Sequence, residues 1–275
     1  DDIAEWPKSA FVDHTIKNLY ASISDSKALK SMPIENLEQI ISDFDQRYLN
    51  IDKSTLHERM PTVYDLLARS VLDIFQQVNF SLPRSAEQFV IDYPEYYGSA
   101  NEFLKVTLPK VDSLNPDYHV MGLYQDITAF HLMNKNESAL LDVTKHRLAF
   151  VHNKSTLNNK EELYDQSIER IIKAHSKNQI SAEFNYLKAA RLNKLAKTTS
   201  PRNKEHQFKN NEAMEICKKM QSIFPKSLGA KQCKHLEASI KERSLTVATE
   251  SYVMPNYPSR YNISVKNMDK VYTKL

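Results

Sequence analysis

Three glycines in 275 residues constrain this chain more than any motif it contains. Globular proteins carry roughly 7% glycine, because tight turns, phosphate cradles and hairpins need residues that take φ > 0 without a Cβ penalty. Gly98, Gly122 and Gly229 stand far apart. No P-loop or dinucleotide-binding turn can be built from them, since each brings several backbone amides against an anion through clustered glycines. Hairpin-rich barrels and sandwiches also draw on glycine, so the bulk of the chain is expected to be helical. Gly122 falls inside a helical pattern, where it would let a neighbouring helix pack closely, and Gly229 follows Pro225 in a first helical turn.

The length supports one large domain or two smaller ones with a sizeable core. The 37 Lys and Arg against 34 Asp and Glu leave a formal charge of +3, which by itself selects no partner. Its distribution says more: from Tyr186 to Arg243 fourteen basic residues stand against five Glu, and the first part of the chain is neutral to acidic. Lys188, Arg191, Lys194 and Lys197 recur at i, i+3, a stripe that can lie along phosphates. No aromatics are interleaved with it and no nucleic-acid motif accompanies it, so a solvated face is expected and nucleic acid is not. No run of eighteen apolar residues occurs, and no transmembrane segment is expected. The chain opens on Asp1-Asp2-Ile3 without a Met or a signal-like segment and stops inside the strand-like Val271 to Leu275, which reads as a piece of a longer protein.

Three early segments have helical patterning. Pro7 to Tyr20 places Phe11, Ile16 and Leu19 behind an early proline, and Ser31 to Tyr48 repeats Ile34, Leu37, Ile40, Ile41 and Phe44 behind Pro33. Met60-Pro61-Thr62 opens a third, with Val63, Leu66, Leu67, Ser70, Val71, Ile74 and Phe75 on one face and Asp65, Arg69 and Asp73 on the other. From Gln77 to Pro116 four prolines and the cluster Tyr93, Tyr96 and Tyr97 predict an ordered loop with short helices, its tyrosines covering the helical core. Regularity returns in six helices: Tyr118 to Met133, Glu137 to Val151, Asn159 to Lys173, Ser181 to Leu195, Lys204 to Phe224 and Ser227 to Ile240. Ala182, Tyr186, Ala189 and Ala190, then Ala213, Cys217, Phe224-Pro225 and Ala230, echo the tetratricopeptide pattern, so antiparallel hairpins in a TPR-like superhelix are expected. After Lys241 the pattern changes. Ser244 to Thr249 and Arg260 to Val265 are β-branched and alternating, which predicts two strands that open a β-domain. The organisation expected is a helical part over residues 1–117 with its Pro/Tyr-rich loop, TPR-like hairpins over 118–241, and a truncated β-domain over 242–275.

Chemistry-bearing residues do not assemble into a reaction centre. His146 and His152 are six apart and fall on different helical faces, so no metal is expected from them. His131 near a helix end meets the negative end of the dipole, a capping role. Glu161, Glu162, Asp165 and Glu169 read as a solvated face. No nucleophile elbow or Ser-x-x-Lys set is present, and neither a catalytic activity nor a cofactor is expected. Cys217 and Cys233 lie eight residues to either side of Pro225, level with one another in a helical hairpin that turns there. Two readings stay open for them. A disulfide would close a loop of about fifteen residues, worth about 3 kcal/mol in the chain-entropy account, and imply an oxidising compartment. Two buried thiols packed as small apolar residues are the other.

Taken in order, several stretches resemble the N-terminal helical region of large alpha-2-macroglobulin family proteins of Bacteroidetes and related bacteria. They are Pro7-Lys8-Ser9-Ala10, Pro61-Thr62-Val63-Tyr64-Asp65-Leu66-Leu67-Ala68, Tyr124 to Leu132, Ala139-Leu140-Leu141-Asp142-Val143, Arg147 to His152, Leu157 to Tyr164 and Phe224 to Cys233. Ser244 to Val253 and Asp269-Lys270-Val271-Tyr272 are similar to the opening strands of that family's first macroglobulin β-sandwich. The resemblance implies a periplasmic or envelope-attached protein that traps proteases after cleavage of a bait region. Its partners would be proteases, met through the full-length protein, or other domains of the same chain. No Cys-x-x-Gln thioester is present: Cys217 is followed by Lys218, Lys219 and Met220, and Cys233 by Lys234, His235 and Leu236. No functional residue of the family carries over. The expected function is therefore a non-catalytic helical interaction module, with a free-standing TPR-type peptide-binding adaptor as the alternative.

Overall fold

The computed structural model describes residues 5–37, 53–78, 80, 87–200, 202–252 and 258–272. Among them eleven α-helices and one two-stranded antiparallel sheet make a mainly helical protein. The helices are α1 (Lys8–Ala21), α2 (Ser26–Ser31), α3 (Lys53–Arg59), α4 (Val63–Gln77), α5 (Ala100–Leu104), α6 (Pro116–Met133), α7 (Glu137–Lys154), α8 (Lys160–Ala174), α9 (Ser181–Ala196), α10 (Lys209–Ile223) and α11 (Leu228–Lys241). Strands β1 (Ser244–Thr249) and β2 (Tyr261–Lys266) come after them. The chain divides into two compact units, Asp1–Arg170 and Ile171–Leu275.

Local chemistry sets most helix starts of the first unit. Thr62 and Asp65 form a reciprocal capping box at α4, Ser99 and Glu102 form another at α5, and Asn115 with Pro116 at the first position starts α6. Directly after α2, residues 32–37 do not take up the α-helix expected over Ser31 to Tyr48. Met32 is extended, as a residue before proline prefers, and Pro33 bridges to Thr62 while the Ile34 amide donates to Pro61 O and the Val63 amide to Met32 O. A 3-10 turn, Ile34–Leu37, comes next, and the rest of that expected helix lies outside the described residues.

Two central helices, α6 and α7, are buried on most sides. α6 buries Val120, Met121, Leu123, Tyr124, Ile127 and Phe130, and it packs against α4, α5 and α7. The buried face of α4 is Val63, Tyr64, Asp65, Ala68, Val71, Leu72 and Phe75, with Ile74 and Ser70 exposed. That face is turned from the one expected, because Asp65 is drawn inward by its cap and by a histidine of α6. The tyrosine-rich loop is an ordered 3-10 turn, Pro94–Tyr97, whose Tyr96 and Tyr97 are buried while Tyr93 stays exposed.

In the second unit α9, α10 and α11 each pack against the other two. Small side chains line the contact: Ala182, Ala189, Ala213, Cys217 and Cys233 are fully buried, with Met220 and Ile240 beside them. Gly229 sits where two backbones meet, and a Cβ there would lie 2.3 Å from Ala182 C and 2.5 Å from Ala182 O. Close packing at a glycine thus occurs here and not at Gly122, whose added Cβ would have only Leu108 Cδ1 near it, at 3.9 Å.

The hairpin pairs Leu245 with Val265, Val247 with Ile263 and Thr249 with Tyr261. Asn267, in the left-handed region at φ 56°, donates from Nδ2 to Ile240 O (2.7 Å) and Glu242 O (2.9 Å), while Lys266 Nζ donates to Ser239 O (2.7 Å). The end of β2 therefore satisfies carbonyls that the last turn of α11 leaves without intrahelical partners.

Candidate functional site

Four buried polar centres stand out among the described residues of the first unit. The first joins α4 to α6: His131 Nε2 lies 2.8 Å from Asp65 Oδ1, and both side chains are at most 1% exposed. The other carboxylate oxygen accepts from the Thr62 amide (3.0 Å) and hydroxyl (2.8 Å). An Asp–His couple can act as a base only if the free ring nitrogen reaches a substrate or nucleophile. Here His131 Nδ1 makes no hydrogen bond among the described residues and is closed off from solvent. The ring of His131 does not take the capping role expected of it; it bonds to Asp65 and so ties the C-terminal turn of α6 to the N-terminus of α4.

Asp142 of α7 is the second centre. It is held by Arg69 Nη1 at 2.7 Å, Arg59 Nη1 at 3.2 Å and Lys145 Nζ at 3.2 Å, with His146 Nε2 at 3.7 Å. Burial alone would raise its pKa. The neighbouring cations, Arg69 foremost, outweigh that and hold the carboxyl well below the usual range.

Arg147, fully buried, is the third. Its guanidinium donates to Tyr96 O (3.0 Å) and Gly98 O (2.9 Å) and lies 4.2 Å over the Phe103 ring. Ser167 Oγ and Arg170 Nη2 donate to the intervening Tyr97 O at 2.6 and 2.7 Å. Three successive carbonyls of the tyrosine turn are therefore claimed by α7 and α8. Burial pulls the Arg147 pKa down to about 9, which leaves it charged at neutral pH.

His119, at the start of α6, is the fourth. Ser113 O can only accept, so Nε2 carries the proton (2.8 Å) and Nδ1 accepts from the Tyr20 hydroxyl (3.1 Å). The ring stacks on Phe75 at 5.0 Å. Burial raises Tyr20 to about 12 and lowers His119, against a smaller opposing effect of the Ser113 carbonyl. An unfolded histidine titrates near 6.5, so below that pH the unfolded chain takes a proton that the folded one refuses. Stability from this group is complete above about pH 6.5 and declines as the pH falls toward the lowered folded value. Denaturation midpoints are expected to drop between pH 7.5 and 5.5, and His119→Gln to flatten the drop; an equally steep decline in the variant would rule the assignment out.

The remaining histidines and carboxylates singled out in the sequence sit apart. His152 Nε2 pairs with Glu161 Oε1 at 3.0 Å and stacks on Tyr164, and Glu161, Glu162, Asp165 and Glu169 are exposed. Among the described residues no group of three or more His, Cys, Asp or Glu side chains is arranged to hold a metal ion, and no helix is long and apolar enough to cross a membrane.

Cys217 and Cys233 are both buried thiols in the α9–α10–α11 core. Their side chains point at one another, and contact with Cys217 together with burial pushes the Cys233 thiol up. Gln221 braces the same hairpin, donating to Cys217 O (3.2 Å) and Glu237 Oε2 (2.9 Å).

Two surfaces of the second unit are distinctive. In the hairpin one face carries Leu245, Val247, Ile263, Val265 and Tyr261, all 38–55% exposed, and the other carries Ser244, Thr246, Ser264 and Lys266. The unit also holds 20 Lys and Arg against 8 Asp and Glu, whereas the first unit holds 17 against 26. Within the expected basic stripe Lys188 and Arg191 are half-buried, and Lys194 and Lys197 are exposed. Comparison of the chain with descriptions of known protein families, with curated proteins and with solved structures gives no match.

Proposed function

We propose that this chain is a non-catalytic helical interaction module, TPR-like in its α9–α11 portion, that leads into the β-domains of a large bacterial alpha-2-macroglobulin-like protease-trapping protein of the cell envelope. The observation that carries the reading is the amphipathic hairpin. Two apolar cross-strand pairs, Leu245 with Val265 and Val247 with Ile263, lie on one uncovered face beside Tyr261, and Ser244, Thr246, Ser264 and Lys266 alternate onto the other. Isolated two-stranded hairpins are marginal in water, and this alternation is what the inner face of a sandwich needs. Asn267 and Lys266 fix the hairpin to the end of α11, so a following sheet would be anchored to the helical part. A TPR-type adaptor closes its array with a polar capping helix, whereas α11 is succeeded by strands. The buried charges of the first unit serve as ties between helices, which is how a scaffold uses them.

The test is the reading frame beyond residue 275 and the behaviour of the protein it encodes. A run of β-sandwich domains with a protease-sensitive segment is expected, and the full-length protein, once cleaved by an endopeptidase, should retain that protease on size exclusion. A stop codon directly after Leu275, or full-length protein that is cleaved without retaining the protease, would sink the reading.

A further inference from the structure

Cys217 lies in the middle of α10 and Cys233 in the middle of α11, and no measurable surface of either is open to solvent. α10 and α11 pack directly on one another, and the two thiols touch across that contact inside a core lined by Ala182, Ala189 and Ala213. Each cysteine is followed by lysine, Lys218 and Lys219 after the first and Lys234 after the second. In an open hairpin these cations favour the thiolate and attract an anionic disulfide such as oxidised glutathione. In the closed hairpin the sulfurs cannot be approached in line by any external disulfide.

We propose that Cys217 and Cys233 form a disulfide while the α10–α11 hairpin folds under oxidising conditions, and that the packed core then preserves whichever redox state it closed over. The oxidant is a small disulfide of the glutathione class. One cysteine thiolate attacks it, forming a mixed disulfide and expelling one glutathione thiolate. The second cysteine thiolate attacks the protein sulfur of that mixed disulfide and expels the other. The cysteines lose two electrons and two protons, the Sγ–Sγ bond forms, and the broken glutathione disulfide leaves as two thiols. The bond would clasp the hairpin across Pro225, and the same burial would slow its later reduction. Nothing in this depends on the protease-trapping reading, because the measurement reads sulfur chemistry alone.

The whole chain is refolded from denaturant in a glutathione redox buffer, and thiols are counted after denaturation in parallel with intact mass. Refolded protein is expected to show no titratable thiol and no glutathione adduct, with a Tm higher by about 10 °C than the dithiothreitol-reduced form. Native reduced protein placed in the same buffer should oxidise at least 100-fold more slowly than the denatured chain. C217S and C233S, each a small isosteric change, should keep one thiol or its glutathione adduct and lose the redox-dependent Tm shift. Two thiols or two adducts after refolding would overturn the disulfide, and equal oxidation rates for native and denatured chains would overturn the preserved redox state.

Discussion

Gly229→Ala is expected to destabilise the second unit by about 3 kcal/mol or more, whereas the same change at Gly122 should stabilise the first by about 0.5–1 kcal/mol. The opposite signs arise from the atoms a methyl group would meet. At Gly229 it would fall 2.3 Å from Ala182 C and 2.5 Å from both Ala182 O and Glu183 N, all backbone atoms that cannot rotate aside. α9 and α11 would have to separate, and the alanine- and cysteine-lined core depends on their close approach for its dispersion contacts. At Gly122 the nearest atom is the end of a leucine side chain at 3.9 Å, an ordinary contact, so the gain in helix propensity prevails. Denaturant titrations followed by circular dichroism, fitted for each variant, distinguish the two. A Gly229→Ala protein within 0.5 kcal/mol of the parent would mean that the helices are not in backbone contact.

Asp142→Asn should cost about 3–5 kcal/mol at pH 7, the amount typical when one partner of a buried ion pair is removed. Asparagine keeps the shape and can still accept a hydrogen bond, so the loss isolates the charge. Arg59 of α3, Arg69 of α4 and Lys145 of α7 would remain around a neutral group, with Arg59 and Arg69 almost closed to water. The pH dependence carries a second signature. A carboxyl held below its usual pKa in the folded state contributes stability above the unfolded value, near 3.9, and loses it as the pH falls further. The parent should therefore lose stability steeply below about pH 4, and the Asn variant less so, in urea titrations across pH 2.5–7. If the variant matches the parent at pH 7, the carboxylate is not what holds α3, α4 and α7 together.

What the sequence made legible was the local part of this architecture. Prolines and capping residues sit at helix starts, so α1, α4 and α6 to α11 could be placed to within a few residues, and β-branched alternation placed both strands. Symmetry about Pro225 put Cys217 and Cys233 opposite each other before any coordinates. Helices of five to seven residues, α2, α3 and α5, are too short to show a period and stayed hidden in loops. The buried charges were illegible for a different reason. Asp65 and Arg69 belong by spacing to a solvated face of α4. They turn inward because His131 and Asp142 wait 66 and 73 positions further on, and nothing near them in the chain announces those partners. Arg147 likewise reads as one more helix charge until the carbonyls of the tyrosine turn are set beside it. The two helical glycines look alike in sequence, and only the neighbouring backbone separates a contact point from a spare position.

The modest formal charge of +3 conceals a cancellation between the two units, −9 in the first and +12 in the second. Each compact unit therefore works against its own self-repulsion. Added salt, with a Debye length of about 8 Å at physiological strength, relieves that repulsion in both units at once. The chain is in effect two polyelectrolytes of opposite sign, and its isoelectric point describes neither.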